Sequence, residues 1–364
     1  MSTKHLVVSA VNIVEAGTLE ILKQCLSEAR QLNDWKVTAI VHDAALVGVS
    51  DICYIERREI KGSWLRRIIF EYIECRSIEA DLRPDYWLSL HDMTPSLRNT
   101  AQAVYCHNAM CFYRFSFREM LLDFKLYMFS KLYGFLYQIN IAKNSTVIVQ
   151  QQWIRKEFFQ RFGCESILVA HPEQGGRAVE VVGIKRTGRK FFYPSIPRFY
   201  KNFEVLLEAW QRLCAIPGWD GELVVTVDES SGDYGRALMK KFGGLNGVVY
   251  AGRLTREQVQ HIYSQSDCLV FPSKIETWGL PITEAKQAGL AVFVADEPYA
   301  REAVGGYPAA EFFPANDSAA LASLMKRFRD GLLNFDVGQN EIVIDEPYAP
   351  NWKSLFEYIQ SVRS

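Results

Sequence analysis

The chain carries almost no net charge: 41 Lys and Arg stand against 42 Asp and Glu, a formal charge of -1. That excludes the global basic field by which a protein gathers nucleic acid, so no nucleic acid is expected as a partner. There is no apolar run near the roughly 20 residues that a membrane-spanning helix needs. No charged-then-apolar stretch opens the chain, since Lys4 leads straight into the short apolar run Leu6 to Ser9. Cys-x-x-Cys is missing too. The eight cysteines are scattered, and Cys106 and Cys111 have no second pair to complete a zinc site. They read as reduced core residues of a cytoplasmic protein. Internal repeats and low-complexity segments are absent. There is no Asp-x-Asp pair in a plausible metal site and no clear serine, histidine and acid triad.

What is present fits a soluble α/β protein of two domains. A length of 364 residues is long for one core, and 49% hydrophobic with 23% charged residues is globular composition. In the first half, Leu6 to Ser9, Val37 to His42, Tyr86 to Leu90, Gln102 to Tyr105 and Ser145 to Val149 read as strands. Val11 to Thr18 reads as a loop and Leu19 to Gln31 as a helix with apolar residues at helical spacing. The stretch from His171 to Lys190 turns polar and glycine-rich, with Gly175, Gly176, Gly183 and Gly188, and is the linker candidate. A second α/β half follows. Its strands include Phe191 to Pro194, Leu223 to Val227 and Gly247 to Tyr250, and its helices Phe203 to Cys214 and Arg256 to Gln265. Trp352 to Val362 reads as an amphipathic helix.

The most informative stretch runs from Phe271 to Ala285. The apolar run Cys268 to Phe271 precedes it and Leu290 to Val294 follows, so strand, loop, helix and strand form one βαβ unit. Ligands of parallel sheets bind at the carboxyl ends of strands, where this loop lies. Pro281 suits the first helical position, Gly289 the C-terminal cap. Gly279 permits close backbone approach, and the free N–H groups around Gly279 and Leu280 offer a seat for phosphate. Glu284 is read in the first turn of the helix and Glu276 in the loop. A helix-dipole acid and a solvated loop acid would be the plain account of two lone glutamates. The Trp-Gly-Leu-Pro between them, after a buried strand, favours a site that grips hydroxyls at two places on a long ligand.

Glu276, Gly279, Leu280, Pro281 and Glu284 together resemble the E-x7-E signature of retaining GT-B glycosyltransferases of the family 4, bacterial surface-polysaccharide type. Thr277 and Trp278 stand where that family commonly has Gly and Phe. The resemblance implies two Rossmann-like domains facing each other across a cleft: an acceptor domain over 1–175 and a nucleotide-sugar donor domain over 190–345. The C-terminal segment 346–364 would then cross back onto the first. It implies transfer of a sugar from a nucleotide-sugar donor with retention, needing no metal or other cofactor. Glu276 would hold donor sugar hydroxyls, Glu284 the ribose, and Thr277 and Trp278 would shape the sugar pocket. Arg198 and Lys201, after the first strand of the second half, are similar to the family's Arg and Lys pair and would neutralise the diphosphate leaving group. His107, after a first-half strand, is similar to the histidine that contacts the donor sugar. His91 ranks below it, facing the acceptor or holding its loop through Asp92. Gly17 partly matches a glycine pair near the sugar and phosphate, and Arg253 belongs to the segment that cups the base.

The acceptor expected is a glycan or polyprenyl-linked glycan, in O-antigen, capsule or exopolysaccharide assembly. Residues 114–138 interleave aromatics with cations, and 57–67 form a second basic, partly apolar patch. Such segments suit peripheral contact with the cytoplasmic membrane face, though ordinary core helices with solvated charges weigh about equally. A non-catalytic GT-B scaffold and a sugar-nucleotide epimerase are the rival readings.

Overall fold

The computed structural model describes residues 3–14, 16–172, 187–335 and 342–361. Its contacts divide the chain into two units, Met1–Glu173 with Ile344–Ser364, and Gln174–Val343. Of the glycine-rich stretch 171–190, residues 173–186, with Gly175, Gly176 and Gly183, lie outside the described residues.

The first unit is built on β1 (Lys4–Ala10), β2 (Trp35–Val41), β3 (Cys53–Glu56), β4 (Tyr86–Ser89), β5 (Ala101–Cys106), β6 (Thr146–Val149) and β7 (Ile167–Ala170). They form one parallel sheet in the order β7-β6-β5-β4-β1-β2-β3, with Tyr348–Ala349 added beside β7. Strands β1, β4, β5 and β6 are buried almost throughout, as strands covered on both faces must be. β3 has no apolar run to announce it: it is a four-residue edge strand with partly exposed side chains, and β2 alone pairs with it.

Four helices of this unit matter below: α1 (Ala16–Ala29), α2 (Trp64–Ile69), α3 (Phe117–Leu122) and α4 (Phe124–Gln138). A π-helical turn, Phe70–Glu74, continues α2. α1 begins at Ala16, so Gly17 sits in its first turn and not in the loop that the sequence suggests.

The second unit has β8 (Lys190–Tyr193), β9 (Glu222–Val225), β10 (Val248–Tyr250), β11 (Cys268–Phe271), β12 (Ala291–Ala295) and β13 (Ala310–Phe313). Its six strands are parallel, in the order β10-β9-β8-β11-β12-β13. The chain winds outward from β8 through β9 to β10, then crosses to β11 on the other side of β8. The switch in winding direction therefore falls between β8 and β11. In the first sheet it falls between β1 and β4. Helices α5 (Phe203–Cys214) and α6 (Leu280–Gln287) follow β8 and β11.

The last described helix, α7 (Trp352–Ser361), belongs to the first unit. Its Trp352, Leu355, Phe356 and Ile359 share one core with Leu22 and Leu26 of α1, and Trp352 stacks on Tyr105 at 5.6 Å. The amphipathic helix near the C-terminus thus packs its apolar face on the first unit.

Candidate active site

The site in the second unit is assembled at the β8/β11 switch point, where a parallel sheet opens a crevice beyond its strand ends. The loops after the two strands are stitched together beneath the surface. The Tyr193 hydroxyl, at the end of β8, donates to the Lys201 carbonyl at 2.8 Å and lies 3.0 Å from Ser273 Oγ. The Lys274 N–H donates to the Tyr200 carbonyl at 2.8 Å. Asn202 takes a left-handed conformation, φ 59°, and its amide donates to the carbonyls of Pro272 and Ala315. Tyr193, Ser273 and Asn202 are buried, so breaking their bonds leaves donors or acceptors without water.

That stitching brings Lys201 Nζ to 2.5 Å from Glu276 Oε1. Both side chains are mostly buried, 17% and 14% exposed, so the pair is weakly screened and fixed in place. Lys201 also lies over the Tyr200 ring at 5.5 Å. The two residues are 75 positions apart in sequence and meet because β8 and β11 are neighbours.

Beyond Glu276 the loop turns into α6. Gly279 is the N-cap with φ 88°, a conformation that favours glycine, and an added Cβ would crowd Ile282 and Phe271. Leu280 is the first helical residue and Pro281 the second. Among the described residues the N–H groups of Gly279 and Leu280 have no hydrogen-bond partner. Glu284 is therefore the fifth residue of α6, one step past the first turn where the sequence reading put it. Burial pushes its carboxyl above the ordinary carboxylate range, against a hydrogen bond from Tyr263 and the charge of Arg256. The Trp278 indole is buried, 3% exposed, and donates to Thr283 Oγ1 at 2.9 Å. It pins the loop to α6, while Thr277 stays partly exposed.

Two further cations stand at the same sheet edge. Arg198 precedes the turn Phe199–Lys201, and Arg253 follows Gly252 after β10. Both are exposed, and neither side chain has an ion-pair partner among the described residues. Gly252 has φ 63° and packs so closely on the Asp228 carboxylate that no side chain fits there. Asp228 in turn accepts from the Ser230 and Ser231 hydroxyls at 2.7 Å.

His107 and His91 both belong to the first unit. His107 follows β5, stacks on Tyr105 at 4.5 Å, and its Nδ1 lies 3.3 Å from the Gln150 amide. Its backbone N–H and that of Asn108 donate to Asp92 Oδ1 at 2.5 and 3.1 Å. Tyr133 and Tyr137 of α4 donate their hydroxyls to the same carboxylate at 2.8 and 2.9 Å. Asp92, with φ 71°, is thus the hub of the corner. Burial lowers the His107 pKa, against the charge of Asp92.

His91 reveals an arrangement that residue spacing did not show. Its Nε2 lies 2.9 Å from Ser9 Oγ, at the end of β1, and its Nδ1 lies 3.1 Å from Glu71 Oε1 on the π-helical turn. A serine, histidine and acid are therefore aligned after all, across the β1/β4 switch point. Ser9 and Glu71 are fully buried, which bars a substrate from the hydroxyl, so the line serves as internal structure. Burial raises the Glu71 carboxyl from 4.5 to about 8, against the charge of Arg67. At neutral pH it is protonated and can donate to Nδ1. Burial, then the Arg67 charge, hold His91 well below 6.5, so it stays neutral.

A group whose folded pKa is raised stabilises fully below its unfolded pKa, and loses that contribution as pH climbs through the folded one. Stability should therefore fall from pH 4.5 up to about pH 8 and level off above it, once Glu71 is ionised in both states. Glu71→Gln should flatten that fall in calorimetric melts. Parallel profiles for the two proteins would contradict the protonated Glu71.

Comparison with known proteins bears on the second unit first. Residues 178–331 match the family model described as Glycosyl transferases group 1. No curated protein matches the chain in sequence. Among solved structures, the chain is similar to the lipopolysaccharide outer core galactosyltransferase WaaB in its apo form. The identity is 13%, the TM-score 0.68, and the match covers 98% of this chain and 99% of that one. It is also similar to WaaG, a glycosyltransferase involved in lipopolysaccharide biosynthesis, at 13% identity and TM-score 0.61, over 90% of this chain and 92% of that one. A third similar structure is HepE of Anabaena in complex with UDP and glucose, at 12% identity and TM-score 0.58, over 90% of each chain. At these identities the likeness is one of fold. The chain has two parallel-sheet Rossmann-like domains of the GT-B kind, carries a glycosyltransferase group 1 domain over 178–331, and is a glycosyltransferase.

Proposed function

We propose that the protein is a retaining glycosyltransferase of the family 4 type. It takes a sugar from a nucleoside diphosphate bound at the β8/β11 switch point and passes it to a glycan or lipid-linked glycan in surface-polysaccharide assembly. The observation that carries this reading is the Lys201–Glu276 pair, 2.5 Å apart, beside the unpartnered amides at the start of α6. A cation, an anion and two free N–H groups at one strand edge match a ligand with a diphosphate and a polyhydroxylated ring. The hard step is cleavage of the bond between the anomeric carbon and the diphosphate oxygen. Lys201, Arg198 and the N-terminus of α6 meet the charge that develops on that oxygen, so the reaction calls for no metal ion. Glu276 accepts from sugar hydroxyls and Glu284 from the ribose, with Arg253 near the base and phosphates. Thr277 lines the sugar, and Trp278 fixes the loop that presents it. His107 and Gly17 are assigned to the donor by the same family resemblance. The acceptor hydroxyl attacks on the face from which the diphosphate departs, with no enzyme nucleophile. The enzyme works at the cytoplasmic face of the membrane.

Thermal unfolding with a panel of nucleoside diphosphates tests the reading. UDP comes first, because the HepE structure holds it. A ligand at a hundredfold its dissociation constant adds about 2.7 kcal/mol. One base should raise the melting temperature of the wild type, and Glu284→Ala should weaken that shift. If no nucleotide shifts the melt, the donor site as drawn is wrong.

A further inference from the structure

We infer that the outer surface of α2, α3 and α4 is a docking face for an anionic lipid bilayer. Twelve of the nineteen exposed large hydrophobic side chains among the described residues fall in the two short segments 64–73 and 117–135. On α4 they are Phe124, Met128, Leu132 and Phe135, spaced four, four and three apart, which makes one stripe down the helix. The inner face of α4 buries Ser130, Tyr133, Leu136 and Tyr137. The helix therefore hides three hydroxyls and shows Phe124, Met128, Leu132 and Phe135 to solvent, against the usual pattern of a surface helix. On α3, Phe117, Leu121 and Leu122 are 62–74% exposed. α2 and its π-helical continuation add Leu65, Ile68, Ile69 and Ile73. Trp64 joins the two segments, its ring edge-on to Phe129 at 6.0 Å and to Tyr133 at 6.1 Å. An apolar surface of this extent forgoes about 1.5–3 kcal/mol for each side chain left in water, and marks an interaction site.

Charge selects the partner. Arg66, Lys125 and Lys131 are exposed on the same segments, and Lys61 and Arg114 are exposed three residues before them. Most acids there are occupied or hidden. Asp123 caps α4, Glu119 is held by Ser116 and Tyr113, Glu74 pairs with Arg57, and Glu71 is buried. Glu59 is the remaining exposed acid. The face is thus apolar and cationic on a chain whose net charge is -1. A second copy of the chain, docked by two-fold symmetry, would set these cations against one another. Anionic headgroups meet them, and acyl chains meet the stripe. No helix among the described residues is long and apolar enough to cross a membrane, so the contact is peripheral.

The inner side of this face gives it functional meaning. Tyr133 and Tyr137 of α4 hold the Asp92 hub on which the His107 backbone rests. Docking on α4 therefore seats the His107 corner one helix away from the bilayer, a placement that suits a lipid-linked acceptor. The docking claim itself does not depend on the donor chemistry.

Sedimentation with vesicles tests it. At low salt the full chain should partition at least about tenfold more onto phosphatidylglycerol–phosphatidylcholine vesicles than onto phosphatidylcholine alone. The triple variant Leu65→Ser, Phe117→Ser, Leu121→Ser changes only exposed side chains. It should lose at least about tenfold of that binding while keeping its melting temperature and any nucleotide shift. A second variant, Lys61→Ser with Lys125→Ser, should weaken binding with the apolar stripe intact. Equal binding to both vesicle types, or unchanged binding by the triple variant, overturns the proposal. So does sedimentation equilibrium that finds a dimer split by the triple variant, since the stripe would then face a second copy.

Discussion

Glu276→Gln should lower the transfer rate by about 10²–10³-fold with little change in fold. The substitution keeps the side chain's shape and removes its charge. Lys201 then faces a neutral amide at the position where it now has a carboxylate at 2.5 Å. Charge-assisted hydrogen bonds are roughly twice as strong as neutral ones, and a sugar hydroxyl loses that advantage too. The pair is mostly buried, so leaving Lys201 without its counter-charge should also cost about 3 kcal/mol of stability. Initial rates on wild type and variant, with melting curves as the control, measure both. A variant that transfers within threefold of wild type would remove Glu276 from the chemistry and favour a non-catalytic scaffold.

Lys201→Met should cost as much in rate, and more in turnover than in nucleotide affinity. The ammonium is placed to meet charge that grows as the diphosphate leaves, and an interaction stronger in the transition state than in the ground state appears in kcat. Because Lys201 and Glu276 share one contact, their effects should not add. The double variant Lys201→Met, Glu276→Gln should fall no more than about tenfold below the worse single variant. Fully multiplicative losses would mean that the two side chains act on separate parts of the ligand, and that their pairing is incidental.

The βαβ unit around this site was plain in the sequence, because two apolar runs bracket a loop with glycine and proline at positions where a helix starts. The meeting of Lys201 with Glu276 was not. It depends on β11 crossing back beside β8, a matter of strand order that no local pattern encodes. The Ser9, His91 and Glu71 line escaped for the same reason, since β1, the loop after β4 and the π-helical turn supply one member each. Gly17 was misplaced because the polar start of α1 resembles the loop before it. Trp278 stands where the resembled family commonly has Phe, and the structure buries its indole against Thr283. The mix of aromatics and cations over 114–138 was visible too. Which face of the helix turned outward was not, since both faces of α4 carry aromatic rings and only packing decides between them.

The most direct test of the account is a crystal structure of the chain with UDP bound. The account predicts the diphosphate within hydrogen-bond reach of Lys201 Nζ and the Gly279 and Leu280 amides, with the ribose at Glu284. A diphosphate bound elsewhere, with the Lys201–Glu276 pair untouched, would contradict it.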